Sequence, residues 1–140
     1  MSHFLTLVLV GCAEPDPARK SHELMMPYFE ADEDNPSAQA KCDGFVIGGR
    51  YDGIIWGKEQ HYNLSPTEFQ KRYGFDVVKT ENNICPISGL VDDLVAYAII
   101  TPDGKWYDRE DKTDEEWLQE FRQMLKQYQD CVVVAIDCHC

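Results

Sequence analysis

Apolar residues crowd both faces of two stretches near the ends of the chain, residues 3–11 (HFLTLVLVG) and 131–137 (CVVVAID). A strand wetted on one side alternates apolar with polar positions, so these unbroken runs predict strands covered on both faces at the centre of a sheet. Between them the pattern twice turns helical. Asp16 reads as an N-cap with Pro17 at the first helical position, and His22, Met25, Met26 and Phe29 follow i, i+3, i+4, i+7 spacing, until Pro27 ends the helix near Met26. Thr113 and Glu116 form a capping box, and Asp114, Glu115 and Glu116 sit at the positive end of the helix dipole. The helix that follows spans about 114–129, and its stripe of Trp117, Leu118, Phe121, Met124, Leu125 and Tyr128 reads as core packing.

Shorter signals fill the interior. Residues 30–37 (EADEDNPS) form an acidic loop without calcium-loop spacing. A second capping box, Ser65 and Glu68, opens a helix over 64–74 that Gly74 closes. Residues 75–78 predict a short strand, 80–89 a loop around Pro86, and 95–101 a strand. Pro102-Asp103-Gly104 turns that strand back into Lys105-Trp106-Tyr107 as a hairpin. The whole predicts one α+β domain over 1–140, a single-layer mixed or antiparallel sheet of about five strands covered by helices. A ferredoxin-like core with insertions is one arrangement that fits.

Composition narrows the partners. The net charge of −12 argues against a nucleic-acid polymer, which long-range repulsion would hold off, whereas a small anion can be held by one or two local cations. No apolar run is long enough for a membrane helix. Leu9-Val10-Gly11-Cys12 resembles a lipobox, but no Lys or Arg precedes it and a first strand explains it better. Six cysteines in a chain with 44% hydrophobic residues read as free thiols in a reducing cytoplasm, since a core of this size needs no cross-links.

The stretch 44–58 (GFVIGGRYDGIIWGK) has no counterpart elsewhere in the chain. Gly48 and Gly49 permit positive φ or close backbone approach, and Arg50 then sets a guanidinium beside exposed N–H groups, a geometry suited to phosphate or carboxylate. Lys58 adds charge, and Tyr51, Trp56 or Trp106 can stack on a ring, with Asp103 nearby. The plainer reading makes Phe45 to Ile47 and Ile54 to Trp56 the two arms of a bulged hairpin that the glycines merely shape. No Walker or dinucleotide-fold glycine pattern is present.

Catalytic signatures are missing. The histidines at 3, 22, 61 and 139 are scattered along the chain, and Asp43, Asp52, His61 and Asp103 are the candidates near the central loop. Cys138-His139-Cys140 is a weak metal motif, because neighbouring side chains on an extended segment point to opposite faces. No cofactor, metal or catalytic residue is therefore assigned.

Three segments, Asp43 to Gly53, Thr101 to Trp106, and Asp137-Cys138-His139, resemble the "IGGRW…TPDGxW…DCH" pattern of small phage, prophage and bacterial proteins. Cys42 and Gly44 stand where those proteins tend to carry tryptophan, and Tyr51 replaces the tryptophan after the arginine. The resemblance implies a phage or prophage setting. With it, the expected function is non-enzymatic binding or sequestration of a small anionic, nucleotide-like ligand at the Gly-Gly-Arg loop, by a homo-oligomer whose site is completed between subunits. The alternatives are an acidic module docking on a basic host protein, and a small hydrolase acting on a nucleotide.

Overall fold

The computed structural model describes residues 3–29, 40–57, 71 and 83–139. The acidic loop at 30–37, Lys58, His61, the strand at 75–78 and Cys140 lie outside the described residues, as does the capped helix at 64–74 apart from Lys71. In chain order the elements are β1 (His3–Val10), α1 (Pro17–Met25), β2 (Gly44–Ile47), β3 (Ile84–Pro86), β4 (Ala98–Ile100), β5 (Trp106–Asp108), α2 (Asp114–Gln127) and β6 (Val132–His139). Among the described residues they build one mixed sheet in the order β2-β6-β1-β4-β5, with β3 also on β6.

β1 and β6 pair antiparallel from His3↔His139 to Val10↔Val132, and β4 runs parallel to β1 on its other side. Both strands are interior, as their two-faced apolar patterns require. Leu5, Leu7, Leu9, Val133 and Ala135 face a layer that holds Trp117, Phe121 and Met124 of α2. Val8, Val10, Val134, Ile136 and Cys138 face the opposite layer, with Met25 of α1. Each Leu, Ile or Val side chain buried this way contributes about 1.5–3 kcal/mol of transfer free energy, so the two-sided burial of β1 and β6 is the main anchor of the fold.

The sheet is open, mixed and α+β, as expected, with helices on both faces. It departs from a ferredoxin-like split βαβ unit, because β1 and β4 are direct neighbours and the two helices cover opposite faces. Both helix starts form as read. Asp16 accepts from the Arg19 N–H at 3.2 Å and Thr113 from the Glu116 N–H at 3.1 Å. The inward face of α1 is shifted by one position, with Ser21, Met25 and Tyr28 buried and Met26 46% exposed. Pro27 is accommodated in a 3₁₀ turn over Met26–Tyr28 that continues the helix.

Three local readings are corrected. Ile54–Trp56 is a 3₁₀ turn between two left-handed glycines, not a strand. Ile84–Pro86, within the predicted loop, is a strand on β6; Pro86 is tolerated at the end of this short segment on the sheet's outer side. β6 runs two residues beyond 137 and takes Cys138 and His139 into the sheet. The β4–β5 hairpin does form, with Gly104 at φ +84 and its N–H on the Thr101 carbonyl.

Candidate functional site

β2 and β3 share one edge of β6 in line with each other, β2 opposite Ile136 to His139 and β3 opposite Val132 to Val134. The chain leaves this edge at Gly48, whose N–H still bonds the Ala135 carbonyl at 2.9 Å. Its φ of +77° suits glycine, and a Cβ there would lie 2.4 Å from Asn83 Nδ2. At Gly49 (φ +51°) a Cβ would lie 2.6 Å from Asp137 Oδ2. Both glycines are needed because buried polar side chains press against the backbone.

Those side chains also occupy the donors of the turn. Asp137 Oδ2 accepts the Arg50 main-chain N–H at 2.8 Å, and Asn83 Oδ1 accepts the Gly53 N–H at 3.1 Å while its Nδ2 donates to Asp52. The N–H groups of Tyr51 and Asp52 close back on Gly48 and Gly49. The anion that sits in this backbone cradle is therefore the protein's own Asp137. Arg50 itself is exposed.

The other residues expected at the loop divide between the two faces. Tyr51 packs into the α2 layer, where burial first and Asp137 second raise its phenol above the ordinary value. Trp106 packs into the α1 layer, with three strands between its own and β2, against Phe4 and Tyr28. Asp103 sits in the hairpin, where the Thr101 hydroxyl donates to it and holds its carboxyl below the usual range. Of Trp56, the backbone closes a 3₁₀ turn. Gly48, Gly49, Arg50 and Tyr51 thus form one turn, and Asp103 and Trp106 belong to the opposite edge of the sheet.

What the sheet gathers instead is a set of histidines and carboxylates from distant parts of the sequence. Asp137, 5% exposed, holds His3 Nδ1 with its Oδ1 at 2.8 Å. Alongside, His139 Nδ1 meets Asp43 Oδ1 at 2.9 Å, and the two imidazoles stand edge to face with centroids 4.8 Å apart. A carboxylate on Nδ1 fixes the tautomer and leaves Nε2 as the nitrogen that can meet a ligand. Cys138 points to the other face, bonded to Thr6 and Cys42, so the 137–139 segment splits between layers as an extended chain must. Among the described residues no three His, Cys, Asp or Glu side chains are gathered as metal ligands.

A cavity of about 580 Å³ opens next to His3, between the lower end of the sheet and the start of α2. Leu5, Ile54, Ala96 and Trp117 give it an apolar floor, and Trp117 is fixed by its indole N–H on the Ala96 carbonyl at 2.8 Å. His3, Tyr51, Tyr97 and Arg109 supply its polar and aromatic wall, with Asp114 paired to Arg109 at the rim. A second cavity of about 330 Å³ meets the first at His3, Phe4 and Tyr97, and reaches Lys41 and Trp106.

Individual residues of this site are visible in the sequence, but their grouping is not. His3 and His139 look scattered until β1 and β6 are paired antiparallel from end to end, and then they must be neighbours. Two-faced apolar strands at both chain ends were the available signal. No helix among the described residues is long and apolar enough to cross a membrane. In comparisons with protein-family models, curated proteins and solved structures, none matches this chain.

Proposed function

We propose that the protein binds a small anionic, nucleotide-like ligand, and that the ligand enters the cavity beside the Gly-Gly-Arg turn instead of lying on the turn's backbone. The observation that carries this reading is the cavity itself, about 580 Å³ with an apolar floor and with Tyr51, His3 and Arg109 converging on it. That size and lining suit a flat ring with one acidic group. Arg109 would exchange its exposed Asp114 partner for the ligand's anion at small cost, because such surface pairs are weak. In the phage setting implied by the sequence resemblance, the ligand would be a nucleotide signal held by stoichiometric binding.

A thermal-shift panel of mono-, di- and cyclic nucleotides tests this. At a concentration about 100 times Kd the stabilisation is about 2.7 kcal/mol, which corresponds to a rise in Tm on the order of 10 °C for a chain of this size. Arg109→Ala is expected to lose most of the shift and Arg50→Ala to keep most of it. A panel in which no nucleotide shifts the wild type overturns the proposal, and loss confined to Arg50→Ala returns the site to the turn.

A further inference from the structure

We infer that His3 and His139 act together as a general base and a general acid that hydrolyse a phosphodiester joining two ring-bearing groups. This rests on the ligand class proposed above and replaces its stoichiometric holding with turnover. The geometry is a pair of imidazoles on neighbouring strands, each held at Nδ1 by its own carboxylate. Their ring centroids are 4.8 Å apart and they lie on the same face of the sheet. Asp137 is itself pinned by the Arg50 N–H and buried, so His3 is oriented from a fixed point. In this arrangement the two rings supply base and acid at the same phosphorus.

The substrate class follows from what flanks His3. One cavity brings Tyr51 and Arg109, and the other brings Trp106 and Lys41 on the opposite side of the sheet. Asp114 lies in the first and is paired with Arg109; Asp108 lies in the second and takes the Trp106 indole N–H at 2.8 Å, with Glu110 beside it. A diester carries one substituent on each side of phosphorus and can place a ring in each cavity with the phosphate at His3, which lines both, and with the His139 ring against His3. A monoester can use only one of the two.

In the step itself, His3 Nε2 removes a proton from water as the water oxygen bonds to phosphorus. The bond from phosphorus to the leaving oxygen breaks, and His139 Nε2–H gives its proton to that oxygen. One water is consumed, a phosphomonoester and an alcohol are released, and proton exchange with solvent restores both rings. His3 and His139 are the catalytic residues; Asp137 and Asp43 position them.

The test uses the full chain with bis(p-nitrophenyl) phosphate and the p-nitrophenyl ester of thymidylate. p-Nitrophenyl phosphate serves as the monoester control, EDTA is present, and p-nitrophenolate release is followed. Both diesters should be hydrolysed and the monoester left intact. His3→Gln should lower kcat by about 100- to 10,000-fold with little change in KM. His139→Gln should change it little on these esters, whose p-nitrophenolate leaves without a proton, but should lower it by the same factor on a dinucleoside monophosphate followed by chromatography, whose alkoxide needs one. Trp106→Ala should chiefly raise KM. No release from either diester overturns the inference, and a nucleotide thermal shift in the same preparation then leaves the binding reading standing alone. Undiminished turnover in both histidine variants, with folding checked by circular dichroism, also overturns it. Turnover of the diesters without any nucleotide shift supports the reaction and sinks the binding reading instead.

Discussion

The Asp137 carboxylate accepts the main-chain N–H of Arg50 at 2.8 Å, which ties the glycine-rich turn to the central strand β6. The same oxygen would lie 2.6 Å from a Cβ at Gly49, where φ is already +51°. Gly49→Ala is therefore expected to cost about 2–4 kcal/mol from overlap and left-handed strain together. Gly11→Ala, with nothing within 4 Å of the added carbon, should stay within about 0.5 kcal/mol of wild type. Guanidinium chloride unfolding of the two variants makes the comparison, and equal midpoints would contradict the close approach.

Gly48 and Asn83 should be energetically coupled. Asn83 is fully buried and bridges the Gly53 N–H to the Asp52 carboxylate. Asn83→Ala orphans that N–H and is expected to cost about 1–3 kcal/mol. Gly48→Ala drives a Cβ to 2.4 Å from the Asn83 amide, and removing that amide removes the overlap. The double variant should then be more stable than the sum of the single effects implies, by about 1 kcal/mol. Strict additivity in a double-mutant cycle would show that the two sites do not touch.

Local signals in the sequence translated well where local chemistry decides the structure. Asp16, Thr113 and the Pro-Asp-Gly turn form as read, since a cap or a tight turn is settled within four residues. β1 and β6 are interior strands because no one-sided environment could satisfy their composition. The glycine-rich stretch misled in a specific way. Its glycines predict N–H groups free for an outside anion, but Asp137 and Asn83, distant in sequence and only close once β6 is in place, fill that role. For the same reason Tyr51 and Trp106, both reasonable stacking residues, end up on opposite faces of the sheet. The His3–Asp137 and His139–Asp43 pairs depend on strand register, which no single segment encodes.

The two caps offer a contrast to the coupled glycine site. Asp16 and Thr113 each satisfy one free N–H at the start of helices on opposite faces. Replacing either by Ala should cost about 1 kcal/mol, and because they share no partner the double variant should lose about the sum. Thermal unfolding monitored by circular dichroism measures all three. A double variant no worse than the worse single would mean that one helix end frays without its cap mattering.

Cys85 gives the chain an alkaline limit. Its thiol is 2% exposed under the α2 layer, and burial alone pushes its pKa from 9.0 up to about 11. Between those values the unfolded chain releases this proton and the folded chain keeps it, so the folded state binds more protons and stability falls as pH rises. The contribution is fully present below about pH 9 and lost by about pH 11, a difference on the order of 3 kcal/mol. Cys85→Ala removes the titration while leaving the other alkaline groups in place. Urea unfolding at a series of pH values should show wild type losing more stability than the variant across this window. If the gap between them stays constant from about pH 8 to about pH 11, burial of the Cys85 thiol is not what sets the limit.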